Sequence, residues 1–413
     1  MEQCPHPAAG APDGCAPRAS ASARLELADI LRTQGERYRA THRLRPEQHR
    51  AMRAIVACRT IALGGQSYRC ERCGALTHRY RSCGNRHCPK CQTLAKERWL
   101  AARQQELLPV PYFHVVFTLP HTLNALALLN PRVLYALLFH AASATLLEFG
   151  RNPRWLGAEI AATLVLHTWD QRLGLHPHVH ALVSAGGLSP DRGQFLRTRR
   201  GFLFPVQALS RVYRGKFLDA LKEALERNAL RLPGELTALA DPATRGPFFQ
   251  DLRAQPWVVY AKRPFAGPQQ VLDYLGHYTH RIALSNARLL AFDTHGVTFR
   301  WRDRAHGNRQ KILTLPTEQF IGRFLLHVLP KGFVRIRHYG LSANRTKAKN
   351  LAAARAALDV PPTAPLLSET VDAFVTRVLG IDLTRCPRCH LGRLRLVAID
   401  PPQPRPRSPP TDP

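Results

Sequence analysis

The chain is 413 residues long, which is enough for two or three domains with a well-buried core. Its 59 lysine and arginine residues outnumber its 29 aspartate and glutamate residues, and the formal net charge is +30. So large a positive excess is hard to reconcile with a protein that has no anionic partner, and it predicts nucleic acid as that partner.

The first segment in chain order, residues 1–22, is rich in Ala, Pro, Gly and Ser. It contains too few large apolar side chains to fold, and it lacks the basic start and apolar stretch of a signal peptide. We therefore predict a disordered leader and a soluble, cytoplasmic protein. The apolar stretch 123–147 is interrupted by Asn130 and Pro131, which favours buried helices over a membrane span.

The next segment, residues 23–105, combines a helical pattern with most of the cysteines, and we predict a small zinc-binding domain. Paired Cys-x-x-Cys spacing in a reducing cytoplasm favours metal binding over disulfides. Two such pairs have the layout of one structural Zn²⁺ site. The four predicted ligands are Cys70, Cys73, Cys88 and Cys91. Further residues close enough to replace a ligand or to form a second site are Cys58, His78, Cys83 and His87.

A third cysteine pair, Cys386 and Cys389, lies far downstream and forms half of a site, which His390 and another ligand could complete. This pair falls in residues 346–413. We predict a basic carboxy-terminal region there, ending in a proline-rich tail.

Between these regions, residues 106–345 alternate between strand-like and helix-like patterns, which predicts an α+β sheet domain. Short β-branched and aromatic runs indicate the strands, and longer amphipathic runs indicate the helices. Strands are predicted at 112–118, 162–167, 178–183 and 257–260, a hairpin at 289–301, and helices at 123–148, 207–230 and 268–281.

His178 and His180 stand two residues apart in a strand-like run. Alternate residues of a strand point to the same face, so two imidazoles could hold one cation while Val179 packs into the core. Two histidines and one further ligand leave positions open for phosphate oxygens, a role that suits Mg²⁺ or Mn²⁺. Candidates for the third ligand are His176, on the same predicted strand face, and His114, His167 and Asp170 in neighbouring segments.

Tyr274 and Tyr278 are one turn apart in the predicted helix 268–281, so both phenols could reach one metal-bound phosphate. Two aromatic residues at this spacing are often simply core residues. Here, however, the same short segment carries polar groups that suit phosphate binding and that a core helix would avoid. These groups are His277, His280, Arg281, Ser285 and Asn286. Together with the paired histidines, they suggest a metal-assisted tyrosine nuclease for DNA.

Residues 281–349 carry 14 lysines and arginines against three acidic residues. This excess is interleaved with aromatic residues, which suits a groove that follows a phosphate backbone and stacks bases on rings. The predicted DNA contacts are Arg281, Asn286, Lys331, Arg335 and Arg337.

Several of these motifs occur in an order that resembles the transposases of the insertion sequence 91 family, across residues 25–345. They are the first Cys-x-x-Cys pair, Arg86-His-Cys-Pro-Lys-Cys-Gln92, His167-Thr-Trp169, His176-Pro-His-Val-His180, Tyr274-Leu-Gly-His-Tyr-Thr-His-Arg281, Val328-Leu-Pro-Lys-Gly-Phe333 and Arg335-Ile-Arg-His-Tyr-Gly340. That family is similar to rolling-circle initiators and relaxases, the HUH nucleases. The resemblance implies an HUH nuclease-like antiparallel central sheet with flanking helices, preceded by the small zinc-binding domain.

The resemblance also implies roles for individual residues. His178 and His180 become ligands of Mg²⁺ or Mn²⁺, and Tyr274 and Tyr278 become nucleophiles of an HUH-type catalytic domain, residues 106–345. One tyrosine attacks single-stranded DNA, forms a 5′-phosphotyrosine and frees a 3′-hydroxyl, as in rolling-circle transposition of an insertion sequence. We therefore expect a bacterial, nucleoid-associated protein whose partners are single-stranded element ends, target DNA and the host replication machinery, with no membrane.

Two other functions compete with this interpretation. His306 and Arg309 mimic the His-x-x-Arg element of tyrosine recombinases, with Tyr339 further along. Such an enzyme needs no metal and leaves the opposite phosphotyrosine polarity. A non-catalytic zinc-ribbon DNA-binding protein, by contrast, would keep its activity when Tyr274 and Tyr278 are both replaced by phenylalanine.

Overall fold

The computed structural model describes residues 24–199, 201–265, 270–271, 276, 282–303, 306–362 and 369–403. The predicted leader, the end of the proline-rich tail, Tyr274, Tyr278 and Arg281 lie outside these residues. Within them, helices are mixed with antiparallel sheets, so the α+β prediction is confirmed.

The helices break where the sequence supplies prolines. The helical pattern near the start of the chain divides just before Pro46, which occupies the first turn of the second helix. The apolar stretch 123–147 divides at Asn130, and Pro131 opens the next helix. The helices are α1 (Leu27–Thr41), α2 (Pro46–Ala57), α3 (Gln92–Gln104), α4 (Asn124–Leu129), α5 (Pro131–Arg151), α6 (Val206–Glu226), α7 (Arg245–Ala254), α8 (Thr317–Leu326), α9 (Lys347–Ala356) and α10 (Val371–Leu379).

The strands of the described residues form three antiparallel sheets. The central sheet has the order β11 (Ile336–Gly340), β4 (Glu159–Trp169), β5 (Leu175–Leu188), β3 (Tyr112–Thr118) and β7 (Val259–Phe265), with β6 (Phe195–Arg197) also paired to β5. The second sheet has the order β10 (Arg309–Leu315), β9 (Gly296–Asp303) and β8 (Leu289–Asp293). The third has the order β12 (Leu394–Asp400), β1 (Gly65–Cys70) and β2 (Leu76–Tyr80).

The side-chain alternation of β4 and β5 gives the central sheet two different faces. Leu164 and Val179 lie on the face that packs against α5 and α6, in the main hydrophobic core. The opposite face is polar along much of its length, and we call it the histidine face. The residues that define it are His114, His167, His178 and His180.

Helix α5 is the described helix that is long and apolar enough to cross a membrane. Most of this helix is buried, and its residues Leu138, Phe139 and Leu146 belong to the main core. A core helix of a soluble protein has the same length and composition. The prediction that the stretch 123–147 forms buried helices agrees with this packing.

The amino-terminal and carboxy-terminal regions are not separate from the rest of the chain. Helices α1, α2 and α8 share a second core with β9, in which Ile30, Met52, Phe299 and Phe320 are fully buried. Strand β12 pairs with β1 and adds the third strand to a sheet that the amino-terminal region begins. Residues 23–105 and 346–413, which the sequence predicts as two regions, therefore share one small sheet, and β12 stabilises a hairpin that would be marginal with two strands.

Candidate active site and thiol clusters

Three histidine side chains meet on the histidine face where β4 pairs with β5. The antiparallel register places His167 directly opposite His178, and His180 follows two residues further along β5. One ring nitrogen of each histidine lies within 4.8 Å of the others. Trp169 stacks on the His167 ring with centroids 4.5 Å apart. His167 and His180 are buried and His178 is partly exposed, so a divalent cation held by this triad would be reached from the His178 side.

His176, suggested as the third ligand from its position on the same strand, lies outside this triad. Four residues of extended strand span about 13 Å, so His176 is too far along β5 to share a cation with His180. Residues that face each other on antiparallel strands have Cα atoms only about 5 Å apart. His167, on the neighbouring strand, therefore takes the third position. The centroid of the His176 ring lies 5.1 Å from that of His121 and 5.1 Å from that of His178.

Hydrogen bonds orient two of the three rings. Nδ1 of His178 lies 2.7 Å from the carbonyl oxygen of His176, which can only accept. Nδ1 of His178 therefore carries the proton, and Nε2 keeps the lone pair that a cation needs. Nδ1 of His180 lies 2.9 Å from Nε2 of His114, so one of these nitrogens donates to the other. Contacts of this kind fix the rings of metal-binding histidines and raise their affinity.

Both predicted nucleophilic tyrosines lie outside the described residues, but two residues of the same segment are described. Val271 is fully buried in a cluster with Tyr112 and Leu182, which lie further along the histidine face. A Cβ atom built on Gly276 would lie 3.0 Å from Cδ1 of Leu100 in α3, and Leu100 packs against the same cluster. Val271 is therefore packed on the histidine face, and Gly276 lies against α3 beside the same cluster.

Two of the predicted DNA contacts have partners within the chain. The Asn286 side-chain oxygen accepts a hydrogen bond from the backbone N–H of Leu27, 3.1 Å away at the start of α1. The Arg337 guanidinium lies over the Phe139 ring, 4.3 Å from its centroid. Both side chains therefore stabilise the fold, whether or not they also contact DNA.

Two other predicted DNA contacts differ in exposure. Lys331 is exposed, while Arg335 is only partly exposed. Burial, followed by the charge of Arg86, lowers the pKa of Arg335 to about 10. Arg335 is therefore still charged at neutral pH, and DNA binding by both residues stays a prediction.

The cysteines of the described residues form two groups of four. The first group is Cys58, Cys83, Cys88 and Cys91, whose sulfur atoms all lie within 4.8 Å of one another. Hydrogen bonding from Cys83 is the largest influence that lowers the pKa of the Cys88 thiol, to about 5. Burial raises the pKa of Cys58 to about 12. Four crowded sulfur atoms of this kind form the ligand set of a structural zinc site.

The second group joins the two ends of the chain. It is made of Cys70, Cys73, Cys386 and Cys389, whose sulfur atoms also lie within 4.8 Å of one another. The predicted grouping of Cys70 and Cys73 with Cys88 and Cys91 in one site is therefore wrong. The first pair lies at the end of β1, beside β12, whereas the second pair lies just before α3, near the end of α2.

The sequence predicted Cys58 and Cys83 as residues that could replace a ligand or form a second site, but it did not group them with Cys88 and Cys91. After residue 22, the chain has eight cysteines, which is the number that two four-thiol sites require. That count was the available signal for two sites. The spacing within the pairs gave no information about which pair meets which.

Comparisons with known proteins agree with these features. The family described as "Transposase zinc-binding domain" matches residues 30–119, and the family described as "Putative transposase" matches residues 161–350. The chain is 47% identical over 378 residues to the "Putative transposase y4qJ" of Sinorhizobium fredii, covering 91% of this chain and 95% of that relative. It is 28% identical over 350 residues to the "Transposase for insertion sequence element IS801" of Pseudomonas savastanoi pv. phaseolicola, covering 84% and 82%. No solved structure matches the chain.

A zinc-binding region at the amino-terminal end, followed by a transposase region that contains most of the histidine face, defines a transposase, an enzyme that cuts DNA. DNA is therefore its partner and substrate. More particularly, the chain belongs to the insertion sequence 91 family of transposases, with an amino-terminal zinc-binding domain.

Proposed function

We propose that this transposase cuts and rejoins single-stranded DNA through a covalent bond between a tyrosine and a 5′-phosphate, as an HUH-type nuclease. The observation that carries the proposal is the triad of His167, His178 and His180 on one face of an antiparallel sheet. The opposite face of that sheet packs against α5 and α6 in the main hydrophobic core. The histidine face is thus the side of the sheet on which a substrate strand can approach the triad.

The triad fits a divalent cation. His178 presents Nε2 as a lone-pair donor because its Nδ1–H is used by a backbone carbonyl, and the contact with His114 orients His180. Imidazole nitrogens suit Mn²⁺ better than Mg²⁺, which prefers oxygen ligands. When bound, the cation would supply a Lewis acid that offsets the negative charge of a phosphate.

The nucleophiles in this proposal are Tyr274 and Tyr278. Their neighbours Val271 and Gly276 pack on the same side of the sheet as the triad, which supports this assignment. The phenolic oxygen of one tyrosine loses its proton and forms a bond to phosphorus, and the bond from phosphorus to the 3′ oxygen breaks. The departing 3′ oxygen takes up a proton and becomes a 3′-hydroxyl, while the 5′-phosphate stays on the tyrosine.

Rejoining is the same exchange in reverse. A 3′-hydroxyl attacks the phosphotyrosine, the new phosphodiester forms, and the phenol is released with a proton. One ester is exchanged for another at each step, so no nucleotide hydrolysis is needed. Two tyrosines permit two covalent intermediates, one for the element end and one for the target, and the free 3′-hydroxyl is available to the host replication machinery.

We also propose that Cys58, Cys83, Cys88 and Cys91 hold the zinc ion of the zinc-binding domain. Their loop contacts the segment just before β11, which leads into the central sheet. Nη1 of Arg86 donates to the carbonyl oxygen of Phe333 at 2.6 Å, and the backbone N–H of Leu329 lies 3.4 Å from Nε2 of His87. Zinc at this site would therefore fix the zinc-binding domain against the catalytic sheet.

The test uses the purified full-length protein and labelled single-stranded oligonucleotides that contain an end of the element. We expect a covalent protein-DNA band on denaturing gels with Mn²⁺, and loss of that band with a chelator. The adduct should carry the 5′ end of the downstream fragment. Replacement of both Tyr274 and Tyr278 by phenylalanine should abolish the band but retain DNA binding. A covalent band that survives this double substitution would contradict the proposal.

Tyr339→Phe is the matched control. Tyr339 pairs with Ala162 in the register of β11 and β4 and packs against the main core, on the side of the sheet opposite the triad. It should therefore keep full cleavage. A tyrosine recombinase would instead lose cleavage with Tyr339→Phe and would leave the adduct on the 3′ end without any need for metal.

A further inference from the structure

We infer that the chain binds a second structural zinc ion, which ties the carboxy-terminal region to the amino-terminal region. The proposed ligands are Cys70, Cys73, Cys386 and Cys389. The matched zinc-binding family ends at residue 119, so half of these ligands lie more than two hundred residues beyond it. The inference does not depend on the proposed nuclease chemistry.

The two cysteine pairs adopt the same backbone turn. The residue after each pair, Gly74 or His390, has a positive φ, of 68° and 55° respectively. In each turn the N–H of that residue donates to the carbonyl oxygen of the first cysteine, Cys70 or Cys386, at 3.0 Å. For a non-glycine residue such as His390 this conformation is uncommon and needs a compensating interaction. Metal binding by the adjacent thiolates would supply one.

Backbone N–H groups point at the sulfur atoms. The N–H of Cys73 lies 3.5 Å from Sγ of Cys70, the N–H of Arg388 lies 3.4 Å from Sγ of Cys386, and the N–H of Gly392 lies 3.3 Å from Sγ of Cys389. Such donors favour the ionised thiolate, which is the form that binds zinc.

The distances between the pairs match a tetrahedral zinc site better than they match disulfides. Sγ of Cys70 lies 3.7 Å from Sγ of Cys389, and Sγ of Cys73 lies 3.8 Å from Sγ of Cys386. A tetrahedron with Zn–S bonds of about 2.3 Å has edges of about 3.8 Å. A disulfide would require about 2.05 Å. Both distances between the pairs are therefore already those that one zinc ion requires.

The sheet around the site shows what the zinc ion would hold together. The register of β1 and β12 runs from Gly65 opposite Asp400 to Cys70 opposite Leu394, so the site lies at one end of this pairing. Ser67 donates to Asp400 at 2.8 Å near the other end. The three-stranded sheet is small, and several β12 side chains are exposed, so apolar burial alone gives it little stability. Zinc binding would supply the rest.

The first experiment counts zinc ions per chain by elemental analysis of purified full-length protein. The variant with Cys386→Ser and Cys389→Ser should contain one ion fewer than the wild type, and trypsin should cut the region 385–395 faster. The matched control replaces Cys4 and Cys15 by serine, outside both groups, and should keep the wild-type zinc content. Equal zinc content in the wild type and the Cys386/Cys389 variant would overturn the inference.

The second experiment needs no substitution. Cys73 is exposed, so a free thiol at this position would react quickly with iodoacetamide. We expect Cys73, Cys386 and Cys389 to be protected together in the zinc-containing protein and to become reactive together after treatment with a chelator. Fast labelling of Cys73 before the chelator is added, or an intact mass that shows a disulfide among the four cysteines, would overturn the inference.

Discussion

His167 of β4 and His178 of β5 lie directly opposite each other on neighbouring strands of the central sheet. Their ring centroids are 5.5 Å apart, and their ring planes are at 85° to each other. This edge-to-face arrangement turns the rings so that a nitrogen of each approaches His180. The triad therefore depends on the register of two strands as much as on the identity of the residues. A shift of one residue in this register would move His167 away from His178 and onto the other face of the sheet.

Replacement of His167 tests the triad directly. His167→Ala removes one of three ligands, so we expect Mn²⁺ affinity to fall at least about 10-fold and formation of the covalent complex to fall about 100-fold. His176→Ala is the control, because His176 lies on the same strand but outside the triad. Titration of Mn²⁺ against the rate of complex formation measures both effects. The reverse result, with His176→Ala impaired and His167→Ala active, would contradict the assignment of the triad.

Local patterns predicted the parts of the fold that depend on neighbours in sequence. The run of β-branched and aromatic residues at 112–118 gives β3 with the same bounds, and the spacing of His178 and His180 places both on one face of β5. Local patterns could not select His167 from the candidates for the third ligand, because the pairing of β4 with β5 is encoded by the packing of the whole sheet. They could not identify the partner of Cys70 either, since Cys389 lies more than three hundred residues away.

Two histidines, the buried His327 and the partly buried His338, predict that the fold loses stability in mild acid. Burial lowers the pKa of His327 to about 4, and burial, followed by the charges of Arg103 and Lys347, lowers the pKa of His338 to about 4. In the unfolded chain both titrate near pH 6.5. Between about pH 6.5 and pH 4, the unfolded chain therefore binds protons that the folded chain does not. The free energy of unfolding should therefore decrease as the pH is lowered from about 6.5 to about 4. Above this range the two histidines should have no effect on stability.

The measurement for this effect is urea unfolding at several pH values between 7.5 and 5. Each histidine contributes at most about 1.4 kcal/mol per pH unit. His338→Asn should make the pH dependence shallower, because it removes one of the two groups. Substitution of the exposed His295 by asparagine should leave the slope of the wild type. An unchanged slope in the His338 variant would show that this histidine is not the source.

Variants of Asn286 and Lys331 should distinguish a residue that stabilises the fold from a residue that is predicted to contact DNA. The Asn286 side chain accepts a hydrogen bond from Leu27, so Asn286→Ala should cost about 1 kcal/mol of stability. Lys331 is exposed, so Lys331→Ala should leave stability unchanged and weaken DNA binding for all sequences alike. It should also reduce the slope of log affinity against log salt by about 1. Unaltered salt dependence in the Lys331 variant would remove this residue from the DNA interface.

A substitution at Gly392 tests the second group of four cysteines without replacing a cysteine. A Cβ atom at this position would lie 2.4 Å from Sγ of Cys70 and 2.7 Å from Cβ of Arg72, which is closer than real contacts allow. Gly392→Ala should therefore push Cys70 out of the tetrahedron, and the purified protein should contain one zinc ion fewer than the wild type. Gly215→Ala is the control, because a Cβ atom there, in α6, meets nothing within 4 Å. If both alanine variants keep the zinc content of the wild type, the sulfur atoms near Gly392 do not hold a metal ion, since displacement of one of four ligands would loosen it measurably.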